Sequence, residues 1–208
     1  MKRRHLALAE LCERAYTEAT HVTSEVEVLA VNGDEHLYLA VRGTETAIKP
    51  KSWRWADIKG ALGNIRDIAR DLRFYPMRTR HGRAHRGFLL SARRWIDTFA
   101  AKLPPSEIII CGHSKGAAEA SHIAQRLHEK GFTVKEIVLF GEPSSRSQSS
   151  RNYLHSLNIP TTSYINRRDW VRHTPPWGYP STRRRKLAGK KGHAIGNYVH
   201  NLKQRAQR

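Results

Sequence analysis

The chain has 208 residues, 39% of them hydrophobic, and 37 Lys and Arg against 18 Asp and Glu give it a formal net charge of +19. That length suits one α/β domain over residues 1–208 with a sizeable core, and no apolar run approaches the ~20 residues that a membrane-spanning helix needs. Two cysteines, Cys12 and Cys111, are too few for a disulfide scaffold and form no CxxC pair.

The opening stretch reads as an amphipathic helix, because Leu8, Leu11, Cys12, Ala15 and Ala19 share a face. Glu10 and Glu13 interrupt it, so it is not read as a signal peptide. A cytoplasmic location, or release by a non-classical route, is therefore expected. "VEVLAV" (26–31) and "HLYLAVRG" (36–43) read as strands joined by an Asn-Gly turn. Residues 44–64 are irregular, with one proline, two glycines and two tryptophans, and read as a surface excursion. "NIRDIARDLRF" (64–74) is near-helical. Phe88, Ala92, Trp95, Ile96, Phe99 and Leu103 then recur at helical spacing until Pro104-Pro105 stops the helix.

"EIIICG" (107–112) is a continuous apolar run of strand length, the mark of a strand buried on both faces. A helix with small residues follows it, then a second buried strand in "VKEIVLFG" (134–141) and a third in "TTSYIN" (161–166). "SSRSQSSR" (144–151) reads as a loop by composition. Strands alternating with helices argue for βαβ units and a mostly parallel sheet flanked by helices.

The charge is uneven. From Pro143 to Arg208 the only acidic residue is Asp169, and "RRRK" (183–186) stands in that region. Such an excess attracts polyanions: nucleic acid, anionic lipid or an acidic polymer. No zinc-finger spacing or RNA-recognition signature accompanies it, so charge alone does not name nucleic acid.

"CGHSKG" (111–116) puts Ser114 between two glycines at a strand-to-helix turn. That context fits a nucleophile elbow, where the strained turn projects Oγ beyond the strand end and helix N–H groups face a developing oxyanion. A glycine-rich turn for phosphate is the rival reading, but neither GxxxxGK[ST] nor GxGxxG is present. A serine nucleophile needs a base, and the base an orienting carboxylate. The downstream acids at strand ends are Glu142 and Asp169, and Asp169 sits where a carboxylate would leave the next sheet strand. Of the later histidines, His173 is too close to Asp169 and His200 lies within the final helix, whereas His193 opens that helix after a glycine.

Seven segments in order then resemble the class 3 lipase family of fungal-lipase-like α/β-hydrolases. They are "AVRGT" (40–44), "DIARDL" (67–72), "HRGF" (85–88), "CGHSKGAAEA" (111–120), "LFGEP" (139–143), "INRRDWVRHTPP" (165–176) and "GHAIGNYV" (192–199). The resemblance implies an α/β-hydrolase fold with Ser114 as nucleophile, Asp169 as orienter and His193 as base. It implies an oxyanion hole from Thr44, through its N–H with its hydroxyl as a further candidate, and the N–H of Lys115. It makes residues 45–66 a lid, with Trp53 and Trp55 near its tip. Lys115 replaces the family's usual Leu and Arg172 its usual Pro, which adds charge at the expected site mouth and shifts the expected substrate toward anionic lipid. The expected activity is hydrolysis of carboxylic acyl esters of the lipase or phospholipase type, without metal or cofactor. Arg183, Arg184, Arg185 and Lys186 are the expected contacts to an anionic membrane surface. The rivals are a triad acyltransferase and a non-catalytic basic module binding nucleic acid or anionic polymer.

Overall fold

The computed structural model describes residues 2–43, 75–175 and 177–207. Thr44, the lid expected over 45–66 and the helix expected over 64–74 lie outside the described residues.

A seven-stranded sheet organises the chain, in the order β1-β2-β3-β6-β7-β8-β9. The strands β1 (His21–Val22), β2 (Glu27–Asn32) and β3 (His36–Val41) run antiparallel to one another. From β3 onward, β6 (Glu107–His113), β7 (Val134–Phe140), β8 (Thr161–Asn166) and β9 (Arg184–Leu187) are all parallel. The expected α/β architecture is thus present, with helices on both faces.

The isoleucine run explains how. Side chains alternate across a strand, and both faces of β6 are covered. Ile108 and Ile110 point into one core with Trp95, Ile96, Ala120, Ile123 and Leu127. These belong to α2 (Arg86–Phe99) and α3 (Lys115–Glu129). Ile109 and Cys111 point into the other core with Leu8, Cys12, Ala15, Tyr198 and Leu202, from α1 (Lys2–Glu18) and α5 (Ile195–Ala206). The apolar face read in the opening stretch is therefore the face that α1 buries, although Ala19 falls beyond the helix end.

Three elements depart from the sequence reading. A two-stranded hairpin, β4 (Pro76–Thr79) with β5 (Gly82–His85), precedes α2. Its strands are short and basic, with a proline, so no apolar alternation marks them. The Ser-rich loop yields α4 (Gln148–Ser156), because Ser147 accepts from the Ser150 N–H and caps the helix start. The basic run at 184–187 is a strand, β9, carried by its pairing with β8 rather than by its own apolarity.

Helix α3 lies unusually close to the sheet. A Cβ on Gly116 would stand 2.3 Å from the Val41 carbonyl oxygen and 2.4 Å from that of Arg42. Neither neighbour is a flexible side-chain end. Gly116→Ala is expected to lower stability by about 1–3 kcal/mol through overpacking, read as a reduced denaturation midpoint with an unchanged m-value.

Candidate active site

Ser114 stands at the carboxyl end of β6, between that strand and α3. Its backbone has φ 57° and ψ −129°. Non-glycine residues rarely adopt positive φ, and such strain persists only where surroundings enforce it. Here the Ser114 N–H donates to the Phe140 carbonyl at 3.0 Å. The turn also closes tightly, since a Cβ on Gly112 would meet the Gly116 carbonyl oxygen at 2.4 Å. Both glycines of the motif are thus required by close approach.

The three residues singled out in the sequence meet at this end of the sheet. The Ser114 hydroxyl lies 2.6 Å from His193 Nε2, and His193 Nδ1 lies 2.9 Å from Asp169 Oδ2. Asp169 is buried just beyond β8. Its Oδ1 accepts the Val171 N–H at 3.0 Å, and its Oδ2 also accepts from the Tyr198 hydroxyl at 2.5 Å. Burial pushes the Asp169 carboxyl up, but hydrogen bonds from His193, Tyr198 and the Val171 N–H outweigh it and hold the group below its ordinary value. The carboxylate is therefore ionised at neutral pH, and it fixes the His193 tautomer with the proton on Nδ1. Nε2 is left to accept the Ser114 proton.

The loops carrying Asp169 and His193 are tied together. The Gly192 N–H donates to the Arg167 carbonyl at 2.8 Å, and Asn166 Nδ2 donates to the Gly192 carbonyl at 3.2 Å. Asn201, buried in α5, donates to Asn166 Oδ1 at 2.9 Å and accepts the Lys190 N–H at 2.7 Å.

His113 supports His193 from below. Burial, then the neighbouring His193, lowers its pKa to about 3, so it is neutral. Its Nε2 donates to the His193 carbonyl at 2.7 Å, and its Nδ1 accepts from the Tyr16 hydroxyl at 2.7 Å. Gly141 supplies room for the ring, since a Cβ there, at φ 60°, would sit 2.9 Å from His193 Cε1. Sequence reasoning assigned no role to Tyr16, His113 or Gly141. The "LFGEP" segment held the signal for Gly141, whereas Tyr16 lies 97 residues from His113 and nothing local marks it.

Other expectations resolve differently. Glu142 is fully buried and accepts the Ser181 N–H at 3.0 Å, which makes it a support for that loop. Lys115 does not bring free charge to the site mouth. Its ammonium pairs with buried Glu119 at 2.7 Å and donates to the Glu25 carbonyl at 2.5 Å. Its N–H belongs to the first turn of α3, where helices leave donors without intrahelical partners. Arg184 turns inward from β9 and donates to the Glu142 carbonyl at 2.8 Å and to Ser144 Oγ at 3.1 Å. It is a structural cation and not a membrane contact, while Arg183, Arg185 and Lys186 are exposed along the sheet edge. Arg167 and Arg168 after β8, and Lys190 and Lys191 before His193, are exposed on the two triad loops. Trp170 is 40% exposed and its ring centroid lies 6.4 Å from that of His193.

Tyr198→Phe is expected to cut kcat/KM on a soluble ester about tenfold, the value of one hydrogen bond to a charged group. KM should hardly move, because the lost contact orients Asp169 and touches no substrate.

A serine, a histidine and a carboxylate in hydrogen-bonded series, with the serine on a strained strand-to-helix turn, form the arrangement of serine hydrolases on α/β sheets. The sequence matches the lipase (class 3) family over residues 38–179, and the chain belongs to that family. A lipase of Rhizomucor miehei is 30% identical over an alignment of 127 residues that covers 54% of this chain and 35% of that protein. A lipase of Rhizopus niveus is 24% identical over an alignment of 179 residues that covers 78% of this chain and 41% of that protein. The chain therefore spans well under half the length of these relatives. Among solved structures, the Rhizomucor miehei lipase–propeptide complex superposes with a TM-score of 0.67 at 19% identity, covering 90% of this chain and 68% of that one. Lip2 lipase from Yarrowia lipolytica gives 0.64 at 16% identity, covering 96% and 89%. These likenesses establish the fold.

Proposed function

We propose that this chain hydrolyses carboxylic acyl esters of lipids through an acyl-enzyme on Ser114. The observation that carries the reading is the unbroken series Ser114–His193–Asp169 at 2.6 Å and 2.9 Å. Ser114 Oγ attacks the ester carbonyl while His193 Nε2 takes its proton. Asp169 stabilises the imidazolium that results. His193 then gives the proton to the departing alkoxide, and the acyl group remains on Ser114. Water, deprotonated by His193, attacks the acyl-enzyme and frees the acid. The N–H of Lys115 at the start of α3 is a donor for the oxyanion. Thr44 is the second, on the resemblance to the family. A panel of triglyceride, phospholipid and short nitrophenyl esters tests the reading. Turnover of at least one class is expected, and none on any of them would end it.

The lipid surface is taken to be anionic. Arg167, Arg168, Lys190 and Lys191 support this, because they are exposed on the loops that carry Asp169 and His193, and exposed Trp170 adds an interfacial indole beside them. Each Lys or Arg near an anionic bilayer contributes about 1 kcal/mol, and the gain fades within ~8 Å at physiological salt. Activity on anionic vesicles should then fall steeply with sodium chloride, whereas activity on a soluble uncharged ester should stay level. Replacing these four residues by Gln should flatten the vesicle profile and leave the soluble-ester rate unchanged. Parallel salt profiles on the two substrates would count against membrane docking and favour a basic surface with another partner.

A further inference from the structure

Away from the triad, α2, α3, α4 and the turn between β4 and β5 line a half-open cavity of about 410 Å³, a size that takes a small molecule. Its walls carry three guanidinium groups, Arg80, Arg93 and Arg126, against one carboxylate, Glu129. That carboxylate is already engaged, with Oε2 accepting from Arg126 at 3.2 Å and Oε1 from Gln125 at 2.9 Å. His122 lines the same cavity and is only 2% exposed, yet its Nε2 has no hydrogen-bond partner among the described residues. Arg93 Nε is likewise buried without one.

Behind the wall lies Arg146, fully buried. Its guanidinium donates only to neutral oxygens: Gln125 Oε1 at 2.7 Å, Ser150 Oγ at 3.1 Å and Ser121 Oγ at 3.2 Å. Among the described residues no carboxylate forms an ion pair with it. A buried cation without a contacting counter-charge is costly. Gln125 and Ser150 both line the cavity, so Arg146 is one side chain removed from whatever sits there. A hydroxyl that accepts from Arg146 still has its own proton to donate. Burial, then the Arg146 charge, holds His122 well below the ordinary imidazole range, so the neutral ring offers one N–H rather than another cation. A solvated basic groove would account for Arg80 at the surface. It does not account for a buried, unpartnered histidine in the wall with a buried arginine directly behind that wall.

We propose that this cavity binds a phosphomonoester, supplied either by a soluble phosphorylated small molecule or by the headgroup of a phosphatidate-type lipid. Several oxygens and up to two negative charges match a set of guanidinium forks interleaved with neutral donors. The site is separate from the chemistry: His122 follows Ser114 by eight residues along α3, roughly 12 Å at the helical rise.

The full chain carrying Ser114→Ala, which cannot turn over a lipid, is titrated with sn-glycerol 3-phosphate by calorimetry, with glycerol as the uncharged control. Saturable binding of the phosphate ester alone is expected. It should weaken about tenfold or more in Arg93→Gln/Arg126→Gln. It should not change in Arg183→Gln/Arg185→Gln, which removes the same charge from the exposed sheet edge. Co-sedimentation with phosphatidylcholine vesicles of matched negative charge, carrying phosphatidylglycerol either alone or partly replaced by phosphatidate, separates the two sources. A lipid ligand loses its phosphatidate-dependent binding in the cavity variant, and a soluble ligand leaves vesicle binding unaffected by it. If circular dichroism finds the cavity variant unfolded, His122→Gln replaces it and must show the same loss. Absence of both saturable glycerol 3-phosphate binding and cavity-sensitive vesicle binding would overturn the proposal, as would equal losses in the cavity and edge variants. Because the serine hydroxyl is absent throughout, neither result bears on the triad.

Discussion

Ser114→Ala is expected to lose ester hydrolysis by about 10⁴- to 10⁶-fold while keeping its fold. Removing a nucleophile that acts as a unit with its base costs about that much, which corresponds to roughly 5–8 kcal/mol of transition-state stabilisation. The residual rate would come from binding and oxyanion donors alone. Stability should hardly change, for a reason specific to this turn. Ser114 occupies the N-cap of α3, where a Ser to Ala change ordinarily costs about 0.5–2 kcal/mol. Its side chain makes no capping hydrogen bond, however; the hydroxyl is turned to His193 instead. Alanine meets the same backbone strain as serine at φ 57°. A melting temperature within about 2 °C of wild type, together with lost turnover, is the expected pair of results. Near-wild-type turnover would end the serine-hydrolase reading.

His193→Ala should be nearly as damaging, at about 10⁴-fold or more, while His200→Ala should stay within a few-fold of wild type. Among the described residues, only His193 bridges the serine and the carboxylate. His200 lies on α5, past the helix start, half-buried. The two variants should also differ structurally. The His193 ring stacks on His113, with centroids 4.8 Å apart, so its loss leaves a gap above His113 that small imidazole can enter. Partial rescue of His193→Ala by added imidazole, with none needed for His200→Ala, is the matching expectation. Loss of activity in His200→Ala with retention in His193→Ala would reverse the assignment.

The juxtaposition of the candidate triad was legible because its residues are marked locally. Two glycines flank one serine after a run of isoleucines, one acid survives in a basic region, and one histidine follows a glycine near the last helix. The sheet was legible where strands are apolar on both faces, as in β6 and β7. It was not legible at β9, whose residues Arg-Arg-Lys-Leu show charge and no alternation, and whose strand exists through its register with Ser163 to Asn166. Lys115 shows the same limit in a side chain. Its charge is visible in the sequence, but its partner Glu119 is buried by the packing of α3 against α2, where Ser91 also reaches the carboxylate at 2.6 Å. The brace from Tyr16 through His113 to the His193 backbone joins α1 to the triad across long stretches of chain, and no spacing rule encodes it.

The most direct measurement is labelling of the native chain with a fluorophosphonate, followed by intact mass and peptide mapping. A phosphonate on Ser114 is predicted, at one adduct per chain, absent in Ser114→Ala and much slowed in His193→Ala. The ester-hydrolysing activity should fall in step with the labelled fraction. Hydrolysis that persists after Ser114 is fully labelled, or an adduct that forms on another serine at the same rate in Ser114→Ala, would contradict the acyl-enzyme mechanism.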